Sequence, residues 1–504
     1  MAGLRSVILS ACAWALRRPG WCFPLWFVLL IAVGTASLML VAAVRSGVEP
    51  LSFLDALFTA TSAVCTTGLT VRPPASLAPF AYVVIGVLIQ CGGLGMVLFT
   101  AALIHKLHHR AGEARTGPDA TDTAERGGNS ADAHATRQFL RHALAAVVLV
   151  LLIELMGALS LMPMWRGSTT IDGDGDAPAL SLVDRFGLSL FHAVSAFCNA
   201  GFTTANDSLA VYRFDLPVHL VLAGLLVAGG IGVPVLMNLG DVARARWRRW
   251  RREACENSHD SAAARLSLHS RVALSTSACL YLAGVLVLGS VQIAAVLAPG
   301  SNESLAGPVL PAPQLSAELA AGALADASFL SISSRTGGFT TVAMDEVPSA
   351  GRVMLMMLMA IGASPGGTGG GMKTTTFAVI VLTIVSTLRR HAHSPTLGQR
   401  VGDALVRQAL TLAAVFLAVI AVAALLLAAI EPFPFERILF EAVSAASNTG
   451  LSLGITSDLS APGKLIVAAT MFLGALAPLA AMDAMIPGPL AFPQAAAHER
   501  VTMA

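Results

Sequence analysis

Four short stretches of the sequence share one pattern, and the chemistry it offers is that of the backbone. They read TATSAVCTTGLTV (59–71), AVSAFCNAGFTT (193–204), SISSRTGGFTT (331–341) and AVSAASNTGLSLG (442–454). In each, a small or polar residue and two more precede G-[LF]-[ST], centred on Gly68, Gly201, Gly338 and Gly450. Glycine reaches positive φ at no steric cost and so lets carbonyls turn inward. Four such turns around an axis would offer a ring of C=O groups able to replace the hydration shell of a cation. Hard alkali ions suit oxygen ligands, and the four stretches hold no evident acidic ring, which favours potassium over calcium. Taken singly, each glycine reads as well as a helix C-cap on an ordinary loop. Four of them in matching places argue for a pore.

The elements that must hold these turns are membrane helices. Of 504 residues, 55% are hydrophobic and 12% charged, with a mean hydropathy of +0.72, whereas a soluble domain carries about 25% charged residues. Only 3 tyrosines and long uncharged runs exclude an aromatic-girdled β-barrel. Spans are expected at 23–44, 80–104, 142–164, 215–239, 272–298, 350–388, 407–430 and 462–486, each tall enough for a core of about 30 Å. Of these only the sixth is clearly broken. Every glycine turn falls between an odd-numbered span and the next even one. The chain therefore reads as an all-α protein of four helix, pore-loop, helix repeats, at 20–105, 142–240, 272–390 and 405–488.

Between the repeats, 106–141 is polar and aperiodic and is expected to be disordered, 241–271 is a basic loop, and 489–504 is a tail. Lys106, Arg110, the run Arg244, Arg246, Arg248, Arg249, Arg251 and Arg252, and Arg389, Arg390 and Arg400 follow even-numbered spans. By the positive-inside rule both termini are cytoplasmic and the turns enter from outside. The stretch from 23 to 44 is long enough to span, which reads as a retained helix behind Arg17 and Arg18 rather than a cleaved signal. The 7 cysteines have no paired spacing that would indicate a disulfide framework or a zinc site.

The sixth span contains GASPGGTGGGMKTTT (362–376), in which glycine is too dense for a stable helix. Its G-x-S-x-G and near-Walker A matches lack the strand-turn-helix setting that gives those motifs meaning, and Met372 interrupts the second one before Lys373. An unwound loop below a ring of carbonyls would obstruct permeation.

These motifs resemble those of the Trk/Ktr/HKT potassium transporter superfamily over nearly the whole chain. QCGGLGMV (90–97), GGIGVPVLMNL (229–239), RTGGFTT (335–341) and FEAVSAASNTGLSLG (440–454) carry the resemblance. With the first span leading directly into the first turn, the likeness is closer to the Ktr membrane subunit. The resemblance implies potassium uptake through a filter of backbone carbonyls at Thr66, Thr67, Gly68, Asn199, Ala200, Gly201, Thr336, Gly337, Gly338, Asn448, Thr449 and Gly450. It implies a flexible intramembrane gate at Gly366, Gly367, Thr368, Gly369, Gly370, Gly371 and Lys373. It also implies a homodimer in a bacterial plasma membrane, with cytosolic nucleotide-binding regulatory subunits beneath, K+ as transported ion and Na+ as a candidate regulator. No enzyme activity and no nucleic-acid partner are expected. A coupled secondary transporter, with the broken span as substrate site, is the first alternative; a non-conducting regulatory paralogue is the second.

Several single residues have competing readings. Glu154 at membrane depth is either functional or a helix-pairing group near a wet cavity. Glu441 either adds negative potential or braces its pore helix. Asp55 reads as a helix N-cap rather than a cation ligand. Arg335 must turn away from the axis, tied to carbonyls or a carboxylate. The basic run with Trp247 and Trp250 fits a positive-inside anchor, a regulator dock or a lipid-headgroup site. In the last span, GALAPLA (474–480) departs from the family's G-R-x-G-P-L-T, with Ala475 where an arginine is expected to project into the pore. Ala475→Arg is therefore expected to lower ion flux in reconstituted vesicles; equal or greater flux would contradict this placement.

Overall fold

A computed structural model describes residues 19–44, 51–73, 76–113, 121–165, 181–213, 215–251, 265–297, 312–389 and 402–485. Among these it is all-helical, and the one β-type contact is an isolated bridge between Ile361 and Met372. Fourteen α-helices follow in order. They are α1 (Pro19–Val44), α2 (Phe53–Val64), α3 (Pro79–Glu113), α4 (Thr121–Leu161), α5 (Leu182–Phe197), α6 (Leu216–Ile231) and α7 (Val233–Trp250). Then come α8 (Leu268–Leu297), α9 (Ala312–Ser333), α10 (Ser349–Ala360), α11 (Thr374–Leu388), α12 (Asp403–Ile430), α13 (Phe435–Ser447) and α14 (Ala461–Met485).

Five stretches are helices long and apolar enough to cross a membrane: Cys22–Ala43, Pro79–Ala102, Phe139–Leu161, Leu268–Ala294 and Asp403–Ile430. The expected fourth, sixth and eighth spans take other forms. The sixth divides into α10 and α11 around the glycine loop, as its composition foretold, and the eighth lies within α14. The fourth is also broken, contrary to expectation: α6 and α7 meet at 103°. Its hinge is Gly232, at φ +96°, followed by Val233 and Pro234. Proline has no amide to continue the helical ladder, and the hydrogen bonds lost at the break are replaced from the glycine loop. Continuous apolarity across residues 215–239 hides such a bend from hydropathy.

Within the stretch 106–141, residues 114–120 lie outside the described residues. Helix α3 runs on to Glu113 and α4 begins at Thr121, in sequence whose repeated alanines have the highest helix propensity.

Short helices α2 and α13 are buried along most of their length and α5 over its C-terminal half, while long α1, α4 and α12 expose aliphatic side chains outward. That is the distribution expected when lipid, not water, covers the outer surface. Serine starts two of the short helices, Ser52 and Ser181 accepting hydrogen bonds at 3.1 Å from the amides of Asp55 and Asp184. Asp55 is therefore not the N-cap. It sits in the first turn and pairs with Lys464 at 3.0 Å and Arg72 at 3.6 Å, tying α2 to α14.

Long helices approach the ends of short ones where glycine leaves room. Gly92 of α3 lies on the Val64 carbonyl, Gly229 of α6 on that of Phe197, and Gly474 of α14 on that of Ala446. A Cβ at Gly474 would overlap the Ala446 oxygen and stand 3.0 Å from Asn448 Oδ1. Gly474→Val should thus cost about 1–3 kcal/mol through overpacking, read as a lowered thermal midpoint of the purified protein; an unchanged midpoint would show that the contact is not tight.

Candidate functional site

Each of the four glycine stretches begins where a short helix ends inside the protein. Within three residues of each helix end the backbone turns left-handed: Thr66, Asn199 and Asn448 have φ +53°, and Thr336 has φ +73°. Two residues on, glycine is again at positive φ, +95° at Gly68, +66° at Gly201, +76° at Gly338 and +92° at Gly450. Non-glycine residues seldom hold such angles, and asparagine is among the better tolerated. Between them lie Thr67, Ala200, Gly337 and Thr449, all buried.

One serine per stretch fixes the corner. The carbonyls of Ser62, Ser195 and Ser444 accept from the amides of Thr67 at 2.8 Å, Ala200 at 2.7 Å and Thr449 at 3.0 Å. Ser333 does the same for Gly337 at 2.6 Å, in a corner shorter by one residue. The hydroxyls of Ser62 and Ser444 accept from the amides of Gly68 and Gly450 at 3.1 Å, whereas those of Ser195 and Ser333 donate to the carbonyls of Phe202 and Phe339. The pattern read from sequence did not include these serines, although S-A-x or S-S-x occurs in every stretch.

The four turns close on one another in chain order. A Cβ on Gly68 would strike the Ala200 carbonyl; on Gly201 it would stand 2.9 Å from Gly338 Cα and 3.1 Å from the Gly337 oxygen. A Cβ on Gly338 would strike the Thr449 carbonyl, and one on Gly450 the Thr67 carbonyl. First meets second, second third, third fourth, and fourth first. Backbone oxygens of Thr67, Ala200, Gly337 and Thr449 thus sit at the four junctions. The helix ends aimed at this ring add negative partial charge.

On one side of the ring is a cavity of roughly 460 Å³ lined by all four glycines, together with Thr70, Phe202, Thr340 and Leu451. The opposite side is filled by residues 362–373. Thr368 carries the closest contacts: its hydroxyl donates to the Phe197 carbonyl at 2.9 Å and accepts from Asn199 Nδ2 at 3.0 Å, and its carbonyl accepts from Thr66 Oγ1 at 3.2 Å. Gly369 is backed against Thr336 Oγ1, and a Cβ on Gly370 would stand 2.5 Å from Asn448 Oδ1. The loop therefore touches the left-handed residue of every turn. Gly366 (φ +76°) and Gly371 (φ +72°) make its corners, and Gly367 packs on the carbonyls of Gly229 and Gly230. Lys373 is buried, its ammonium donating to the Gly369 carbonyl at 2.8 Å. Among the described residues it has no carboxylate partner within ion-pair distance.

The flanking charges have settled positions. Arg335 reaches away from the ring to the carbonyls of Ser277 at 3.4 Å and Gly362 at 3.2 Å. Glu441 accepts from Ser452 Oγ at 2.8 Å and from Thr456, bracing the chain after Gly450. Glu154 is buried, accepting from Gln90 Nε2 at 3.0 Å, with the thiol of Cys198, next to Asn199, at 3.8 Å. Ala475 is buried, and Asn448 Nδ2 donates to the Met471 carbonyl of the same helix at 2.9 Å.

An all-helical membrane protein with this constellation belongs to a known class of cation transport proteins. The TrkH family model, described as cation transport protein, matches residues 25–486, and the chain belongs to that family. It is 30% identical over 469 residues to the potassium/sodium uptake protein NtpJ of Enterococcus hirae, covering 89% of this chain and 88% of that one. It is 29% identical to the Ktr system potassium uptake protein B of Bacillus subtilis, covering 92% of each. Its fold is similar to the crystal structure of the potassium transporter TrkH from Vibrio parahaemolyticus, with a TM-score of 0.63 at 17% identity, over 93% of this chain and 85% of that one.

Thr368 offers a direct check on the loop. Each hydrogen bond lost is worth about 1 kcal/mol, so Thr368→Val should release the loop and raise ion flux, while Thr368→Ser should leave it near the parent value. Flux unchanged in the valine variant would show that Thr368 does not hold the loop in place.

Proposed function

We propose that this chain is the translocating subunit of a potassium uptake system, and that K+ crosses it through the ring of backbone carbonyls formed by residues 66–68, 199–201, 336–338 and 448–450. The observation that carries this reading is the cyclic closure of the four turns, each glycine set against the next turn's carbonyl or backbone. Oxygen ligands held by packed backbone can replace the hydration shell of a hard cation without any carboxylate ring. The relatives named as potassium uptake proteins support K+ as the ion. The loop at residues 366–373 is the gate, here closed beneath the ring: its contacts reach all four turns, so an ion leaving the ring must displace it.

In this reading the cavity above the ring is the extracellular vestibule, both termini are cytoplasmic, and the eight expected spans surround one pore. The protein works as a homodimer in a bacterial plasma membrane, where cytosolic nucleotide-binding subunits move the gate and Na+ is a candidate regulator. The second broken span, found at Gly232, meets part of what a coupled secondary transporter requires. Its break, however, is bonded to the gate loop instead of forming a separate half-site, which favours the gated pore.

The test is rubidium uptake into vesicles holding the purified protein, with sodium as competitor. A serine Cβ at position 450 would overlap the Thr67 carbonyl at φ +92°. Gly450→Ser should therefore reduce the preference for rubidium over sodium by about ten-fold, equivalent to about 1.4 kcal/mol of lost discrimination. An unchanged preference would contradict the carbonyl filter.

A further inference from the structure

Helix α7 is joined to the gate loop by backbone hydrogen bonds at its first residue and at the hinge before it. The Val233 amide donates to the Gly366 carbonyl at 3.0 Å, the Ser364 amide to Gly230 O at 2.8 Å, and the Thr368 amide to Gly229 O at 3.2 Å. Pro234 packs on Gly366, and Gly232 lies against Pro365 and Gly367. A displacement of α7 about Gly232 is therefore a displacement of the loop under the ring.

The far end of α7 has a different chemistry. Helix α7 turns away from α6 at 103°. Its first turns are buried at Val233, Val235 and Val242, and it then emerges with Arg244, Arg246, Arg248 and Arg251 exposed. Trp247 and Trp250 are 54% and 74% exposed, with ring centroids 5.2 Å apart, and Arg251 lies 4.9 Å over the Trp247 ring. Arg244 pairs with Asp241 at 2.7 Å, while Arg246 and Arg248 have no ion-pair partner among the described residues. Exposed indoles amid arginines suit the boundary between acyl chains and anionic headgroups.

We infer that the Arg244–Arg251 face of α7 docks on anionic phospholipid headgroups of the cytoplasmic leaflet, and that this docking draws the hinge at Gly232 and the attached loop away from the ring, so that anionic lipid raises conduction. The functional half of this inference rests on the gated-pore reading above; the docking half does not. The choice of lipid over an acidic protein follows from the two exposed indoles beside the arginines, the pairing that anchors helices at a bilayer surface.

The experiment uses the full chain in vesicles of phosphatidylcholine alone and of phosphatidylcholine with roughly a third phosphatidylglycerol. Rubidium flux should rise at least about five-fold with the anionic lipid, the weight of one arginine near such a surface. Brominated phosphatidylglycerol should quench fluorescence that disappears in a Trp247→Phe, Trp250→Phe variant. Replacing Arg244, Arg246, Arg248 and Arg251 together by glutamine should abolish the lipid response while keeping the flux seen in phosphatidylcholine, and lysine at the same positions should restore it. Flux independent of anionic lipid, or a response kept by the glutamine variant, overturns the inference. So does a response elicited by a soluble acidic polypeptide but not by the lipid. Absence of flux in every vesicle would contradict the conducting reading, and the quenching would still decide the docking.

Discussion

A helix that stops inside a protein leaves its last carbonyls without amide partners, and this chain is organised around such stops. At Thr66, Asn199, Thr336 and Asn448 the backbone turns left-handed, and a serine one turn earlier satisfies the amide that follows. Carbonyls near the turn are then free to meet a neighbouring turn instead of a helix. In a membrane, unsatisfied backbone is tolerated only where protein or a water-filled cavity covers it. Both conditions are met, with a cavity on one side of the ring and the glycine loop on the other.

The surrounding elements follow from that constraint. Glycines on α3, α6 and α14 let long helices back closely onto the short ones. The loop fills the underside because glycine keeps it thin; Thr368 binds it to Phe197, Asn199 and Thr66, and Lys373 closes it on the Gly369 carbonyl. Its partner is the broken segment at Gly232, so the two interrupted spans complete each other's hydrogen bonding.

Much of this was legible from residue types and spacing. The four turns, their glycines and the interrupted sixth span are repeated motifs in a sequence otherwise dominated by apolar helix, and the side chain of Arg335 turns to carbonyls as its charge requires. What was not legible depends on contacts between distant segments. The bend at Gly232 has a local signal in Gly229, Gly230, Gly232 and Pro234, but the loop that completes its hydrogen bonds lies more than a hundred residues later and is invisible to periodicity. The corner at Ser333 is one residue shorter than the others, which an alignment centred on glycine conceals. Asp55 was assigned a cap that Ser52, three residues earlier, supplies, because the first turn and the cap are told apart only by which oxygen faces the amide.

The most direct test is to locate the ion. Anomalous diffraction from crystals of the protein soaked in rubidium should show a peak at the centre of the ring bounded by Gly68, Gly201, Gly338 and Gly450, lost when sodium replaces rubidium. No peak there, or a peak only at carboxylates away from the ring, would contradict a filter made of backbone carbonyls.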